Sequence, residues 1–163
     1  MKMLTIILDR DGVLNKRPKS RYVRTWDDWE WIPGAKEAIN LLKNAGYRII
    51  LVTNQSGIAR KTMTEQDLHS IHEKMQKELS RKGNCIDKIY YCPHGPDDNC
   101  ECRKPKPGML LQAQRDFNLD LSKTYFIGDD KRDMQAGNAA GCKTLLVNSG
   151  SSLLKLIKEK VLT

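Results

Sequence analysis

Acidic side chains occur where the first apolar segment of the sequence ends. The apolar run at residues 6–8 predicts a short buried strand. Asp9 and Asp11 follow it, and Gly12 then allows the backbone to turn sharply. Because ionised carboxylates resist leaving water unless they are paired or metal-bound, two acids in this position form a candidate site. Taken alone, the stretch is equally typical of a strand that ends in an ordinary polar turn.

Two later apolar segments also end in polar groups. Thr53 and Asn54 follow one of them, Asp129 and Asp130 follow another, and a basic stretch containing Lys104 lies between. In a parallel sheet the carboxyl ends of the strands lie at one edge, which is where ligands bind in open α/β folds. The sequence therefore predicts that acids, a hydroxyl, an amide and a lysine meet at one place.

Such a set of groups suits phosphoryl chemistry at a metal. Carboxylates from two strand ends can hold Mg²⁺, which prefers oxygen ligands and substrate phosphates. An aspartate can then attack phosphorus and form an aspartyl-phosphate. A second acid can protonate the leaving oxygen and later activate water, a role worth roughly 10²–10⁴ in rate. A lysine and a hydroxyl would stabilise the charge on the transferring phosphoryl group.

A second cluster joins three cysteines and a histidine in the pattern Cys92-x-His94-x₅-Cys100-x-Cys102. Three thiolates and one imidazole complete a tetrahedral set for Zn²⁺, and a site without an open position is structural. We call residues 92–102 the zinc loop. Metal binding would order this loop, which has little core of its own, and would position the basic residues that follow it. A group of free thiols is the alternative explanation.

Strand-like and helix-like segments alternate along the chain. This alternation predicts a parallel sheet covered by helices on both faces, a Rossmann-like three-layer α/β/α fold. At 163 residues the chain is expected to form one domain, residues 1–163. The predicted strands are residues 4–8, 48–52, 88–92, 124–127 and 143–147. The predicted helices are residues 35–45, 65–79, 107–117, 134–140 and 152–161.

The composition is that of a basic globular protein. The formal net charge is +8, hydrophobic residues make up 39% of the chain and aromatic residues 6%. A basic chain can bind nucleic acid, an anionic membrane surface or a small phosphorylated substrate. Because we find no apolar run of membrane-spanning length and no signal peptide, we expect a cytoplasmic protein without a membrane partner. Scattered basic residues and the lack of a nucleic-acid motif favour a small substrate over nucleic acid.

Four motifs in order make the chain similar to a known family. Residues 9–12 (Asp-Arg-Asp-Gly), Thr53-Asn54, Lys104 and residues 128–133 (Gly-Asp-Asp-Lys-Arg-Asp) resemble the motifs of the haloacid dehalogenase-like hydrolases. The match runs over nearly the whole chain. The resemblance implies the α/β fold of that family without a cap domain, here carrying the zinc loop.

Finer similarity indicates one branch of this family. Residues 52–60, 91–94 and 102–109 resemble the D-glycero-D-manno-heptose 1,7-bisphosphate 7-phosphatases and the related histidinol-phosphate phosphatases. Residues 106–109 favour the heptose enzymes, whereas the short segment 95–99 is typical of the histidinol-phosphate type. The resemblance therefore implies a sugar phosphatase, with histidinol phosphate as the alternative substrate.

The resemblance also implies a role for each motif residue. Asp9 would be the nucleophile and Asp11 the general acid and base. Thr53 and Lys104 would bind the phosphoryl group. Asp9, the backbone carbonyl of Asp11 and Asp129 would hold Mg²⁺.

Substrate contacts are implied for Asn54 and Arg103, with Asp133 supporting the site. The chain departs from the family pattern at Asp130, where the heptose enzymes carry a substrate-binding lysine. Lys131 is the candidate to replace that lysine in binding substrate. Asp130 itself becomes a candidate further magnesium ligand.

We therefore expect a monomeric, Mg²⁺-dependent phosphatase that hydrolyses a small phosphorylated sugar. Its selectivity would come from the unusually basic connection 15–32, from residues 54–63 and from the zinc loop. Two other hypotheses remain open. One is a phosphotransferase that passes the phosphoryl group to an acceptor other than water, and the other is a basic zinc-containing module that binds nucleic acid.

Overall fold

A computed structural model describes residues 2–79 and 85–163. Its strands are β1 Thr5–Leu8, β2 Arg48–Asn54, β3 Lys88–Cys92, β4 Tyr125–Gly128 and β5 Lys143–Leu146. Within the described residues these five strands pair in parallel in the order β3-β2-β1-β4-β5. The central strand β1 thus lies between β2 and β4, so the three polar strand ends are neighbours.

Helices cover both faces of the sheet. They are α1 Ala35–Asn44, α2 Glu65–Leu79, α3 Gly108–Phe117, α4 Lys131–Ala140 and α5 Leu153–Leu156, which continues as a π-helical segment, Ile157–Val161. One face of the sheet packs against α1, α2 and α5, and the other packs against α3 and α4. The predicted three-layer α/β/α fold is confirmed. In the parts of the chain that the structure describes, no helix has the length and apolar character needed to cross a membrane.

β2 and α4 extend beyond their predicted bounds by two residues or more. β2 continues for two residues because Thr53 and Asn54 keep pairing with β3. α4 begins a turn before its predicted start at Met134. A capping box explains this early start: the Asp130 side chain accepts a hydrogen bond from the first turn, and the Asp133 carboxylate accepts one from the Asp130 N–H. The first turn is polar, so apolar periodicity did not reveal it.

The long helix α2 begins as predicted. Asp67 accepts a hydrogen bond from the Thr64 N–H at 2.8 Å, and Thr64 Oγ1 accepts one from the Asp67 N–H at 3.1 Å. His72, to which the sequence assigned no role, is buried on the same helix. The apolar residues at helical spacing along α2 are also buried: Leu68, Ile71, Met75 and Leu79.

The connection between β1 and α1, residues 15–32, contacts the carboxyl ends of the neighbouring strands. Its Tyr22 hydroxyl lies 3.3 Å from Ser56 Oγ, just after β2. Trp26 and Trp29 stack with ring centroids 5.1 Å apart and pack against the core. This anchored connection brings its basic residues to the edge of the sheet where the acids lie.

Candidate active site

Three carboxylates meet at the carboxyl ends of β1 and β4. Asp9 directly follows β1, Asp129 directly follows β4, and Asp133 lies in the first turn of α4. One oxygen from each carboxylate lies within 4.8 Å of one from each of the others. Because β1 and β4 are paired in register, the sheet itself places Asp9 beside Asp129.

Two glycines leave room for these acids. Gly12 has a φ of 83°, and a Cβ at this position would overlap the Asp129 carboxylate. A Cβ on Gly128 would overlap the carboxylate of Asp133 in the same way. That carboxylate accepts hydrogen bonds from the backbone N–H groups of Asp129 and Asp130 at 3.1 and 3.2 Å. Asp133 therefore fixes the loop that carries Asp129.

A buried lysine links two of the three acids. Lys104 Nζ lies 2.9 Å from Asp9 Oδ1 and 2.7 Å from Asp133 Oδ1, and it donates to the carbonyl oxygen of Val52 at 3.1 Å. The lysine side chain is only 3% exposed, so its three ammonium protons all find acceptors inside the protein. Burial disfavours the charged form, but the two carboxylates raise the pKa of Lys104 above its usual value.

Negative charge exceeds positive charge around this lysine. Burial raises the pKa of Asp9; the Lys104 charge opposes that shift and the charge of Asp133 adds to it. Burial also raises the pKa of Asp129, against the opposing guanidinium of Arg17, which donates to it at 2.9 and 3.1 Å. A divalent cation would relieve this excess of carboxylates. The all-oxygen donor set fits Mg²⁺.

Asp11 has a different environment from Asp9. Its Oδ1 accepts from Arg10 at 2.8 Å and from Asn15 Nδ2 at 2.9 Å, and its Oδ2 accepts from Gln55 Nε2 at 3.0 Å. Burial acts to raise the pKa of Asp11, but the Arg10 guanidinium and the Asn15 hydrogen bond hold it below its usual value. The two acids of the first motif are therefore electrostatically distinct.

The end of β2 joins the site to the segment after the zinc loop. The Asn54 side chain accepts from the Lys104 N–H at 3.0 Å and donates to the Lys104 carbonyl at 3.1 Å. Thr53 is fully buried, and its Oγ1 accepts from Gln55 Nε2 at 2.9 Å. Asn54 thus fixes the position of the Lys104 backbone through two hydrogen bonds.

The four predicted zinc ligands converge. One donor atom from each of Cys92, His94, Cys100 and Cys102 lies within 4.8 Å of all the others. The Cys92 sulfur lies 2.9 Å from that of Cys102 and 3.6 Å from that of Cys100. His94 Nδ1 lies 3.4 Å from the Cys102 sulfur. Three sulfurs and one nitrogen in this arrangement can hold a zinc ion.

Arginines surround a groove beside the acids. Arg132 lines both the small cavity that contains Asp9 and the wider groove next to it, whereas Lys131 is exposed on α4. Arg103 lines the groove and donates to the His94 carbonyl at 3.4 Å. The arginines that line the groove are Arg17, Arg21, Arg60, Arg103 and Arg132.

Comparisons with known proteins fit this geometry. A haloacid dehalogenase-like hydrolase model matches residues 6–78, and a second model, HAD-hydrolase-like, matches residues 101–161. The D-glycero-beta-D-manno-heptose-1,7-bisphosphate 7-phosphatase of Bordetella bronchiseptica is 44% identical over 149 residues, covering 91% of this chain and 83% of the relative. The chain belongs to the haloacid dehalogenase-like hydrolases.

Further relatives resemble this hydrolase over most of its length. An enzyme of the same name from Pseudomonas aeruginosa is 42% identical over 158 residues, covering 97% of this chain and 88% of the relative. A crystal structure of the B. bronchiseptica D,D-heptose 1,7-bisphosphate phosphatase, complexed with magnesium and phosphate, has a TM-score of 0.89 and 38% identity. That similarity covers 96% of this chain and 97% of the other.

Several side chains of the hydrolase site were not singled out from the sequence. Arg17 pairs with Asp129, and Gln55 and Asn15 hold Asp11. The unusually basic connection 15–32 was the available signal for Arg17. Asp130, a candidate magnesium ligand from sequence, caps α4 and pairs with Arg132 at 2.9 Å, outside the group of three converging carboxylates.

Removing a ligand from the zinc loop is expected to destabilise the hydrolase. Cys102→Ser leaves three of the four donors, so bound zinc and its contribution to folding should fall. We expect the melting temperature to drop by about 5 °C or more, which for a chain of this size corresponds to a loss of about 2 kcal/mol or more. Calorimetry with elemental analysis of zinc measures both effects.

Cys142→Ser, at a half-buried cysteine outside the cluster, is the matched control. The zinc site would be excluded if the wild-type protein contained no zinc and if Cys102→Ser left the melting temperature unchanged.

Proposed function

We propose that this hydrolase is a Mg²⁺-dependent phosphatase that removes the 7-phosphate from D-glycero-β-D-manno-heptose 1,7-bisphosphate. The convergence of Asp9, Asp129 and Asp133 around Lys104 carries this proposal, because it supplies a nucleophile, an oxygen site for a metal and a buried cation. The heptose substrate is supported by the names of the relatives at 42–44% identity. Residues 1–163 would form a single hydrolase domain whose partner is the phosphorylated sugar, with neither nucleic acid nor a membrane as a partner. We expect it to be a monomeric, cytoplasmic enzyme.

The metal would be held by Asp9, Asp129 and the backbone carbonyl of Asp11. When bound, Mg²⁺ offsets the repulsion between the Asp9 carboxylate and a phosphate dianion. Arg17, which now pairs with Asp129, is free to turn towards an anionic substrate once a metal takes its place, since its side chain is 45% exposed. Asp133 stays bonded to Lys104 and to the backbone of the β4 loop.

Phosphoryl transfer begins with a carboxylate oxygen of Asp9. It attacks phosphorus and forms a P–O bond while the bond from phosphorus to the sugar oxygen breaks. Because the pKa of Asp11 lies below its usual value, its carboxylate must first take up a proton from solvent. The leaving oxygen then takes this proton from the Asp11 carboxyl group, and the sugar departs as an alcohol. The product of this step is an aspartyl-phosphate at position 9 with Asp11 ionised.

Hydrolysis of this intermediate reverses the role of Asp11. A water molecule attacks phosphorus and gives its proton to the Asp11 carboxylate, while the bond from phosphorus to Asp9 breaks. Inorganic phosphate leaves, and both aspartates return to their starting forms. A phosphotransferase would use an acceptor alcohol in place of water in the same step.

The remaining motif residues would bind the phosphoryl group and the sugar. Thr53, one residue before the end of β2, accepts from the same Gln55 amide that donates to Asp11. Lys104 contacts the attacking carboxylate directly. Because all three ammonium protons of Lys104 have acceptors, a phosphate oxygen would replace one of these acceptors rather than add to them. Asn54 and Arg103 lie at the edge of the groove and would contact the sugar.

The arginine-lined groove supports a substrate with two phosphates. One phosphate would occupy the small cavity at Asp9, and the groove beside it would take the second. Guanidinium groups bind phosphate through paired, charge-assisted hydrogen bonds. The presence of Arg132 in both cavities makes it the better candidate for this contact than its neighbour Lys131.

The substrate assignment is tested by ranking kcat/KM over a panel of phosphate esters. We expect heptose 1,7-bisphosphate to exceed heptose 7-phosphate and histidinol phosphate. Arg132→Gln should lower kcat/KM for the bisphosphate about tenfold through KM, because a charge-assisted hydrogen bond is worth roughly 1.5–3 kcal/mol.

Lys131→Gln is the matched control for that substitution and should change kcat/KM by less than about twofold, as is usual for a cation outside the binding groove. A larger effect at Lys131 would assign the second phosphate to that lysine instead. A higher kcat/KM for histidinol phosphate would replace the heptose as substrate.

A further inference from the structure

The arginine between the two motif aspartates is completely buried. Arg10 has 0% exposed surface, and its guanidinium carbon lies 5.6 Å from the centroid of the Trp29 ring. Its Nη2 and Nε donate to Asp11 Oδ1 at 2.8 and 3.3 Å. Its Nη1 lies 3.1 Å from His72 Nε2 on α2. Burying a guanidinium costs free energy unless its N–H groups have hydrogen-bond acceptors, so Asp11 and His72 both stabilise Arg10.

The ring of His72 must accept the hydrogen bond from Arg10. A guanidinium has only donors, so Nε2 has to be the unprotonated nitrogen and Nδ1 has to carry the proton. Burial and the charge of Arg10 lower the pKa of His72 to about 3, with Asp11 opposing and His69 adding to the shift. His72 is therefore a neutral acceptor that fixes one arm of the guanidinium.

The two oxygens of Asp11 differ because of this arrangement. Oδ1 receives Arg10 and also Asn15 Nδ2 at 2.9 Å, so its capacity to accept is used. Oδ2 receives a single donor in the structure, Gln55 Nε2 at 3.0 Å. The Asp11 side chain keeps 16% exposure and lines the small cavity with Asp9. Oδ2 is therefore the Asp11 oxygen that can still form a further hydrogen bond.

We propose that Arg10 and His72 are positioning residues for Asp11, holding Oδ1 so that Oδ2 exchanges the proton with the leaving group and with water. This inference rests on the proposed role of Asp11 in phosphate ester hydrolysis. The proton moves from Oδ2 to the sugar oxygen as its bond to phosphorus breaks, and it returns from water to Oδ2 in the second step. Through the contact of His72 with Arg10, helix α2 thereby influences the proton transfer without contacting the reacting atoms.

Removing the acceptor nitrogen should impair proton donation more than binding. In His72→Leu a guanidinium proton is left buried without a partner, so Arg10 is expected to shift and to release its hold on Asp11. The loss should depend on the leaving group. A sugar alkoxide needs the proton from Asp11, whereas p-nitrophenolate leaves readily without one.

The test compares His72→Leu with wild type on the best sugar phosphate of the panel and on p-nitrophenyl phosphate. We expect kcat/KM for the sugar phosphate, which reports the steps up to release of the alcohol and not the later hydrolysis, to fall about tenfold, part of the range of a general acid. For p-nitrophenyl phosphate we expect kcat/KM to fall less than about twofold, because its leaving group needs no general acid. His72→Gln retains an acceptor and should recover most of the rate. His69→Leu, at the exposed histidine of the same helix, is the matched control.

A spectroscopic measurement needs neither activity nor a variant. Nitrogen-15 NMR of the wild-type protein should show His72 as the neutral tautomer with the proton on Nδ1. A ring protonated on Nε2 overturns the inference, because that nitrogen could not accept from Arg10. This measurement decides the contact even if His72→Leu fails to fold.

The kinetic outcomes separate this inference from the function on which it rests. Equal losses of kcat/KM on both esters, or a His72→Gln variant with a kcat/KM for the sugar phosphate as low as that of His72→Leu, would overturn the positioning role while leaving the phosphatase intact. A wild-type enzyme that hydrolyses neither ester would instead contradict the proposed function, and the role of Asp11 with it.

Discussion

Asp9→Asn is expected to abolish phosphate release. The amide that replaces the carboxylate cannot attack phosphorus, so no aspartyl-phosphate can form. Loss of a covalent nucleophile costs about 10⁴-fold or more in kcat, and we expect a loss of that size. Steady-state phosphate release from heptose 1,7-bisphosphate at saturating Mg²⁺ measures it.

The fold should survive this substitution. Lys104 keeps its contacts with Asp133 and with the Val52 carbonyl, so the buried ammonium retains two of its three acceptors. Asp27→Asn, at an exposed acid of the 15–32 connection, is the control and should keep full activity. If Asp9→Asn turned over at the wild-type rate with metal present, the nucleophile would have to be another residue.

Lys104→Met should damage both activity and stability. The substitution leaves Asp9 and Asp133 buried without their shared cation, and breaking a buried ion pair by removing one partner costs about 3–5 kcal/mol. We expect kcat to fall about 10³-fold, because the charge on the transferring phosphoryl group loses its buried cation. Urea unfolding without added metal measures the stability, and phosphate release measures the activity.

The stability loss in Lys104→Met should depend on pH. Without the lysine, the pKa of Asp9 in the folded state rises further above its unfolded value, since burial already raises it. The carboxyl group is then protonated in both states at low pH, and the deficit is smallest there. Between about pH 4 and about pH 7 Asp9 is ionised in the unfolded state but protonated in the folded state of both proteins, so the deficit changes little. Above about pH 7, Asp9 ionises in the folded wild type before it ionises in the folded variant, and the deficit grows.

Lys106→Met is the matched control for this pair of effects. Lys106 lies two residues away, is exposed and pairs with Glu101 at 3.0 Å on the surface. Exposed pairs contribute about 0–1 kcal/mol, so its loss should be small and nearly independent of pH. A Lys104→Met variant as stable as Lys106→Met at neutral pH would contradict the buried role of Lys104.

The sequence was sufficient where chemistry depends on residue type and strand order. Asp9 and Asp129 end apolar segments, and a parallel sheet places such ends together whatever the loops do. The cysteines and histidine of the zinc loop are close in the chain, so their convergence needs little tertiary structure. The capping box at Thr64 was predictable for the same reason, because its hydrogen bonds span three residues.

The contacts between distant segments could not be predicted from pattern. Arg10 and His72 are 62 positions apart, and nothing in the helical periodicity of α2 distinguishes a buried histidine from an exposed one. Arg17 and Asp129 are separated by 112 positions and meet only because the 15–32 connection contacts the strand ends. The choice between Lys131 and Arg132 depends on the direction of the first turn of α4, which a misplaced helix start obscured.

A crystal structure of the magnesium-loaded protein with trifluoroberyllate, a stand-in for the phosphoryl group, tests the role of Asp9 most directly. We expect beryllium bonded to a carboxylate oxygen of Asp9, with the metal held by Asp9, Asp129 and the Asp11 carbonyl. Beryllium on any other residue, or a metal that Asp9 and Asp129 do not share, would contradict the proposed mechanism.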